Sequence, residues 1–275
     1  MEKINIDTSI TLNNGVRIPM LGLGTYLATG NNAYDAVIFA LEQGYRHIDT
    51  ASFYANEAEV GRAIKDSGIN RKDIFVTTKL WNTDQGYNAA LRAFERSMNN
   101  FGLDYVDLYL VHWPLRAKRK KSWKALERIY DEKSARSIGI SNYTIRHIEE
   151  LKTYANYKPV VNQVEFSPFL YQKELQDYCE ANDIYIEAFT PLTRGRKLDN
   201  PALTSIAEKY GKTPAQILIR WALQVHTIVL PKSANKDRIK ENAAIFDFNI
   251  TEKDILILNS LDENFRITWD PTDEE

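Results

Sequence analysis

Residues 74–112 read IFVTTKLWNTDQGYNAALRAFERSMNNFGLDYVDLYLVH. The run Ile74 to Lys79 is apolar, aromatic or β-branched until its closing lysine, the composition of a buried parallel strand. Tyr87 to Phe101 follows with a helical pattern and stops at Gly102, a natural left-handed cap. Val106 to His112 is then another buried strand, so the stretch is one βαβ unit. The same alternation extends both ways. Upstream strands are predicted at Leu21 to Gly24 and His47 to Thr50. Downstream ones fall at Ser137 to Ser141, Val160 to Glu165, Ile184 to Phe189 and Thr227 to Pro231. Helical patterns run from Ala33 to Gln43 before Gly44, and from Ala58 to Lys65 before Gly68. Thr213-Pro214-Ala215-Gln216 is a capping box with proline at the first helical position, and Thr251 to Asp254 is a weaker one. At the start, Asn13-Asn14-Gly15 between apolar runs predicts a hairpin turn. The 275 residues alone would allow two domains at ~150 residues each. Eight strand–helix units with no linker instead predict an α/β fold, one (β/α)8 TIM barrel over residues 1–275 whose bottom the hairpin closes.

Composition excludes several classes. Lys+Arg 35 against Asp+Glu 37 gives a charge of -2, which argues against nucleic acid or an anionic membrane as partner. Cys179 is the single cysteine and cannot form an internal disulfide. No stretch approaches the ~20 apolar residues of a membrane span, and MEKINIDTSITL lacks the core of a signal peptide. A cytoplasmic protein with a small-molecule substrate and no metal is expected. Gly22-x-Gly24 is not a dinucleotide fingerprint, because Leu27 stands where a third glycine is required. Those glycines are expected to let the first strand approach a cofactor. The run Lys118-Arg119-Lys120-Lys121 is expected to be a solvated loop rather than a polyanion site.

Barrel enzymes carry their chemistry where strands end at the C-terminal face. Asp49 closes the second predicted strand, Tyr54 lies in the loop after it, Lys79 closes the third and His112 the fourth. Alone, each has a structural explanation, since strand-end aspartates cap helices and lysines reach for solvent. At three consecutive strand mouths they converge on one cavity. The set suits proton donation to a carbonyl. An ammonium held by a carboxylate lowers a tyrosine pKa from ~10, and ~2 units of lowering is worth about 2.7 kcal/mol. Tyr54 is thus a candidate general acid tuned by Lys79 and Asp49, and a neutral His112 can orient the same carbonyl. Trp81 and Trp113 would make the cavity apolar.

The stretch Gly44-Tyr45-Arg46-His47-Ile48-Asp49-Thr50-Ala51-Ser52-Phe53-Tyr54-Ala55-Asn56-Glu57 resembles the first signature of the aldo-keto reductases. Thr77 to Trp81, Leu110 to Pro114, Ser137 to Tyr143 and Leu230 to Ser233 match further family motifs in order. The resemblance runs from about Leu12 to Asp262 and is closest to the shorter bacterial-type members. It implies NADPH-dependent reduction of aldehydes or ketones by hydride transfer, with Tyr54 as acid, Asp49 and Lys79 as its tuners and His112 as substrate orienter. It assigns Ser141, Asn142 and Gln163 to the nicotinamide amide and Phe189, tyrosine in many relatives, to the nicotinamide face. Lys232, Ser233 and Arg238 fall to the adenosine 2′-phosphate, with Glu241 and Asn242 on the adenine. A helix start beside Lys232 and Arg238 is an anion site on physical grounds as well. Tyr26, where relatives often carry tryptophan, joins Trp81 and Trp113 in the substrate pocket, and a monomer is implied.

Two departures carry expectations. Thr193 stands where relatives commonly have glycine, a costly exchange if φ is positive there, and Arg194 or Arg196 is expected to compensate by pairing with the pyrophosphate. The short loop Pro114 to Lys121 and the short acidic tail imply an open pocket suited to small aldehydes and dicarbonyls. The alternative is an NADPH-binding regulatory or structural protein on the same barrel, against which the intact Asp–Tyr–Lys–His set argues.

Overall fold

The computed structural model describes residues 4–274. Strands β1 (Ser9–Thr11) and β2 (Arg17–Pro19) pair antiparallel around Gly15, whose φ of 83° suits the turn. The hairpin is shorter than predicted, because Ile4 to Asp7 lie outside it, in a turn held by Asn5 and Thr8. Eight parallel strands follow: β3 (Leu23–Gly24), β4 (His47–Asp49), β5 (Phe75–Leu80), β6 (Leu108–Val111), β7 (Ile138–Ser141), β8 (Val161–Glu165), β9 (Tyr185–Phe189) and β10 (Ile228–Leu230). Each lies within two residues of its predicted span. The sheet runs in sequence order from β3 to β10 and closes through bridges of Leu21 to Val229 and Gly24 to Lys232. A closed barrel with helices outside is the predicted (β/α)8 architecture.

The helices between them are α1 (Asn31–Glu42), α2 (Glu57–Asp66), α3 (Tyr87–Phe101), α4 (Arg119–Asp131), α5 (Ile145–Lys152) and α6 (Lys173–Ala181). After β9 come α7 (Pro201–Tyr210) and α8 (Pro214–Gln224), and after β10 come α9 (Lys236–Ala243) and α10 (Glu252–Asn259). The Thr213 capping box forms as predicted, with Thr213 and Gln216 exchanging side-chain bonds to each other's backbone. In the basic run Lys118, Lys120 and Lys121 are exposed as expected, and Arg119 departs from expectation. It opens α4 and is buried, bonded to the Pro114 carbonyl and paired with Glu150. Its guanidinium therefore pins the loop after β6 instead of facing solvent.

The hairpin plugs the base. Leu12 and Ile18 are buried against Phe75, Leu108, Leu110, Val160, Val161 and Ile228. Asn13 and Asn14 anchor its turn to the carbonyls of Pro159, Asp183 and Arg136. Gly22 serves packing: a Cβ there would sit 2.8 Å from the His47 ring, so the glycine makes room for an interior imidazole.

Candidate active site

At the open end of the barrel, β4 and β5 deliver Asp49 and Lys79 side by side. Lys79 Nζ lies 2.6 Å from Asp49 Oδ1 and donates at 2.8 Å to the Thr50 carbonyl, and it is fully buried. Tyr54 follows β4 in a 3-10 turn, Ser52–Tyr54, and its ring centre is 5.1 Å from the ammonium. Three bonds fix that turn. Ser52 Oγ donates to the Lys79 carbonyl at 2.9 Å, and Asn56 Nδ2 donates to the carbonyls of Thr25 and Ala28. Glu57 holds Thr78 of β5 at 2.7 Å, so residues flanking Tyr54 act as posts for its loop. His112, just past β6, meets Tyr54 edge-on at 6.1 Å between ring centres. The four predicted residues share one cavity.

Electrostatics sort their roles. Burial works against the Lys79 ammonium, but Asp49 and Tyr54 outweigh it and raise its pKa, so the lysine stays charged. His112 is pushed well below the usual histidine range by burial and then by Lys79, so its imidazole is neutral. Its Nδ1 is buried without a partner among the described residues. Tyr54 corrects the expectation from sequence. Burial raises its pKa, and Lys79 only partly offsets this, so the phenol is held more firmly protonated than a free tyrosine.

Aromatic rings wall the cavity. Tyr26 packs on Tyr54 at 5.0 Å, Trp81 meets His112 at 5.0 Å, and exposed Phe53 stacks on Trp81 at 3.9 Å. The short C-terminal tail supplies another ring, Trp269. Trp269 lies 5.2 Å from Trp113, and buried Glu165 anchors the tail by accepting from Ile267 N, Thr268 N and Thr268 Oγ1.

The remaining predicted residues line the same end. Ser141 ends β7, and Asn142 follows it with φ 65°, a left-handed conformation that asparagine tolerates. Ser141 Oγ donates to the Gln163 carbonyl, and Asn142 Nδ2 donates to the His112 carbonyl and to Ser141 Oγ. Gln163 of β8 donates through Nε2 to Asp49 Oδ2 at 2.8 Å and to Glu187 Oε2 at 2.7 Å. Phe189 closes β9, half-buried. Beyond β10, Ser233 is buried, Lys232 and Arg238 are exposed, and neither cation has an ion-pair partner among the described residues. Asn235 caps α9 by accepting from Arg238 N at 3.0 Å. Asn242 is buried, while Glu241 Oε1 is engaged by the Thr213 hydroxyl at 2.6 Å. The positive φ suspected at Thr193 is real, at 50°, and Thr190 and Arg194 share it at 52° and 51°. Arg194 lies over the Tyr26 ring at 5.5 Å.

Sequence reading passed over His47 and Glu187, both fully buried in the barrel interior beneath this cavity. Their signal was present: an ionisable residue inside an apolar strand run, His47 beside Ile48 and Glu187 within Tyr185–Phe189.

Known proteins are similar to this chain in sequence and fold. The aldo/keto reductase family matches residues 20–263. A glyoxal reductase of Bacillus subtilis is 47% identical over 268 residues, covering 97% of each chain. An uncharacterized oxidoreductase of the same organism, YtbE, is 48% identical over 272 residues, again with 97% of each covered. Among solved structures, an aldo-keto reductase from a Medee basin deep-sea metagenome library superposes with a TM-score of 0.93 at 46% identity, covering 95% of this chain and 97% of that one. The Bombyx mori aldo-keto reductase, solved in complex with NADP, gives 0.89 at 34% identity, covering 96% of this chain and 95% of that one. The eight-stranded barrel, the buried Asp49–Lys79 pair beneath Tyr54, and likeness along nearly the whole chain agree: this protein belongs to the aldo/keto reductase family of oxidoreductases.

Proposed function

We propose that the protein, acting as one domain over residues 1–275, reduces small aldehydes and dicarbonyls to alcohols with NADPH, and that Tyr54 is the proton donor. The observation that carries this is the ion pair of Lys79 and Asp49, sealed from water at 2.6 Å beneath a protonated tyrosine. Such a site holds a proton at Tyr54 Oη and a fixed positive charge where the phenolate will form. Ser141, Asn142, Gln163, Phe189, Lys232 and Arg238 would hold NADPH, which would supply the hydride for the carbonyl carbon. Tyr54 gives its proton to the carbonyl oxygen, Lys79 stabilises the resulting phenolate, and solvent restores the proton. Neutral His112 donates a hydrogen bond that orients the carbonyl, and Trp81 and Trp113 keep water away.

The chain's own groups fit the cofactor. The N–H groups of Asn142 and Gln163 are already engaged, while Asn142 Oδ1 and Gln163 Oε1 carry no hydrogen bond among the described residues. The site therefore offers acceptors to a carboxamide NH₂. Phe189 supplies a ring face, and unpaired Lys232 and Arg238 beside the start of α9 suit a phosphate. The named activity of the glyoxal reductase relative and the aromatic rings around Tyr54 and His112 support small dicarbonyls as substrates. Purified protein assayed with NADPH against glyoxal, methylglyoxal and simple ketones tests the reading. The expected result is turnover fastest on the dicarbonyls and strongly favouring NADPH over NADH; no turnover on any carbonyl despite NADPH binding would refute it.

A further inference from the structure

Beneath the tetrad lies a second carboxylate that the mechanism above does not use. Glu187, on β9, is fully buried, and its nearest polar neighbours come from other strands. Gln163 of β8 donates to Glu187 Oε2 at 2.7 Å and, with the same nitrogen, to Asp49 Oδ2 at 2.8 Å. Both N–H bonds of one amide are thus held between two carboxyl groups, and Asp49 Oδ1 takes Lys79. Glu187, Gln163, Asp49 and Lys79 form one chain ending at Tyr54.

The other oxygen, Glu187 Oε1, has no hydrogen-bond partner among the described residues, and its neighbour is His47 Nε2 at 3.5 Å. The state of that imidazole follows from geometry. Its Nδ1 lies 3.3 Å from the Pro19 carbonyl, which can only accept, so Nδ1 carries a hydrogen; burial keeps the ring neutral, which leaves the Nε2 lone pair between Thr77 Oγ1 at 3.3 Å and Glu187 Oε1 at 3.5 Å. An ionised carboxylate facing a lone pair is repelled, whereas a carboxyl O–H facing it is attracted. Gly22 leaves room for this ring and for Leu230, since a Cβ there would lie 2.8 Å from the imidazole and 2.6 Å from Leu230 Cδ2.

We propose that Glu187 is a positioning residue for the reductase centre: as a neutral carboxyl it locks the Gln163 amide against Asp49, and its ionisation slows proton donation by Tyr54. The inference rests on the carbonyl-reductase reading. Titratable groups facing Glu187 are His47 and Asp49 of β4 and Lys79 of β5; β8 offers neutral Gln163, and β10 only Ile228, Val229 and Leu230. Burial and then the Asp49 charge push the Glu187 carboxyl up to about 8, and burial pushes His47 down to about 3, so both are neutral at pH 7. Above that range a second negative charge appears beneath Tyr54. It adds to the cost of forming the phenolate, so reduction falls as pH rises.

Two variants and an independent spectrum test this. Glu187→Gln keeps a neutral group that accepts from Gln163 and donates to His47. Glu187→Ala removes the lock. The expected kcat of the Gln variant at pH 7 exceeds that of the Ala variant about tenfold, with KM for the carbonyl little changed. The wild-type profile of kcat shows an alkaline limb near pH 8 that Glu187→Gln lacks. In the protein without cofactor, infrared difference spectra between pH 6.5 and 9.5 show loss of one protonated carboxyl band in wild type and none in Glu187→Gln. An alkaline limb unchanged in Glu187→Gln, equal kcat in the two variants, or no such band in wild type would each overturn the proposal. An inactive wild type that still shows the band would instead count against the carbonyl-reductase reading.

Discussion

Two aspartates at opposite ends of the barrel show how differently one fold uses a buried carboxylate. Asp107, just before β6 at the base, is 1% exposed and takes Arg136 at 2.8 Å, Arg71 at 2.8 Å and the Val76 amide at 3.0 Å. Its cations are partly exposed arginines, so its charge is answered twice, by groups that also reach water. Asp49, at the mouth, is 4% exposed and has one fully buried lysine, one shared amide and a second carboxyl nearby. The base over-satisfies its charge and gains rigidity. The mouth leaves an ammonium free to respond when charge appears on Tyr54.

Substitutions can break that contrast. Tyr54→Phe keeps the ring and removes the proton; turnover should fall by about 10²–10⁴-fold while NADPH binding, followed by fluorescence, is kept. Undiminished turnover would move the acid elsewhere. Asp107→Asn should do the reverse, costing about 2–3 kcal/mol of stability in a denaturant titration while kcat stays near wild type. Removing both Lys232 and Arg238 as alanines should lower the preference for NADPH over NADH by about 10–100-fold, with kcat spared, since charge-assisted bonds to a phosphate are worth about 1.5–3 kcal/mol. The last effect is with pH. Burial holds folded His47 down to about 3, while an unfolded histidine takes its proton near ~6.5. The folded pKa is the lower one, so this stability is complete above pH ~6.5 and is lost on acidification towards 3, at about 1.4 kcal/mol per pH unit. Burial depresses His112 in the same direction and steepens the slope. Denaturation midpoints that stay level from pH 6.5 to 5 would contradict it.

Much of this was legible in sequence for a local reason. A buried parallel strand needs a short apolar run, and a polar residue closing such a run stands at the mouth, so Asp49, Lys79 and His112 could be placed without coordinates. Other features depend on distant partners. Arg119 sits in a basic run that reads as solvated, and only Glu150 and the Pro114 carbonyl turn it inward. Glu187 and Gln163 lie on different strands, and their meeting with Asp49 depends on barrel closure and register. Whether Lys79 or burial wins at Tyr54 depends on how many protein atoms surround the phenol, which strand periodicity does not report. Thr193 was suspected of positive φ, yet its left-handed neighbours Thr190 and Arg194 carried no glycine to reveal them.

The most direct test is a single-turnover measurement of glyoxal reduction by the NADPH-loaded protein, comparing wild type with Asp49→Asn. The substitution keeps the shape but removes the charge that holds Lys79, and with it one of the two oxygens that accept from Lys79 and Gln163. If the buried pair tunes Tyr54, hydride transfer slows about 10²-fold while NADPH affinity is unchanged. Transfer at the wild-type rate in Asp49→Asn would contradict the account.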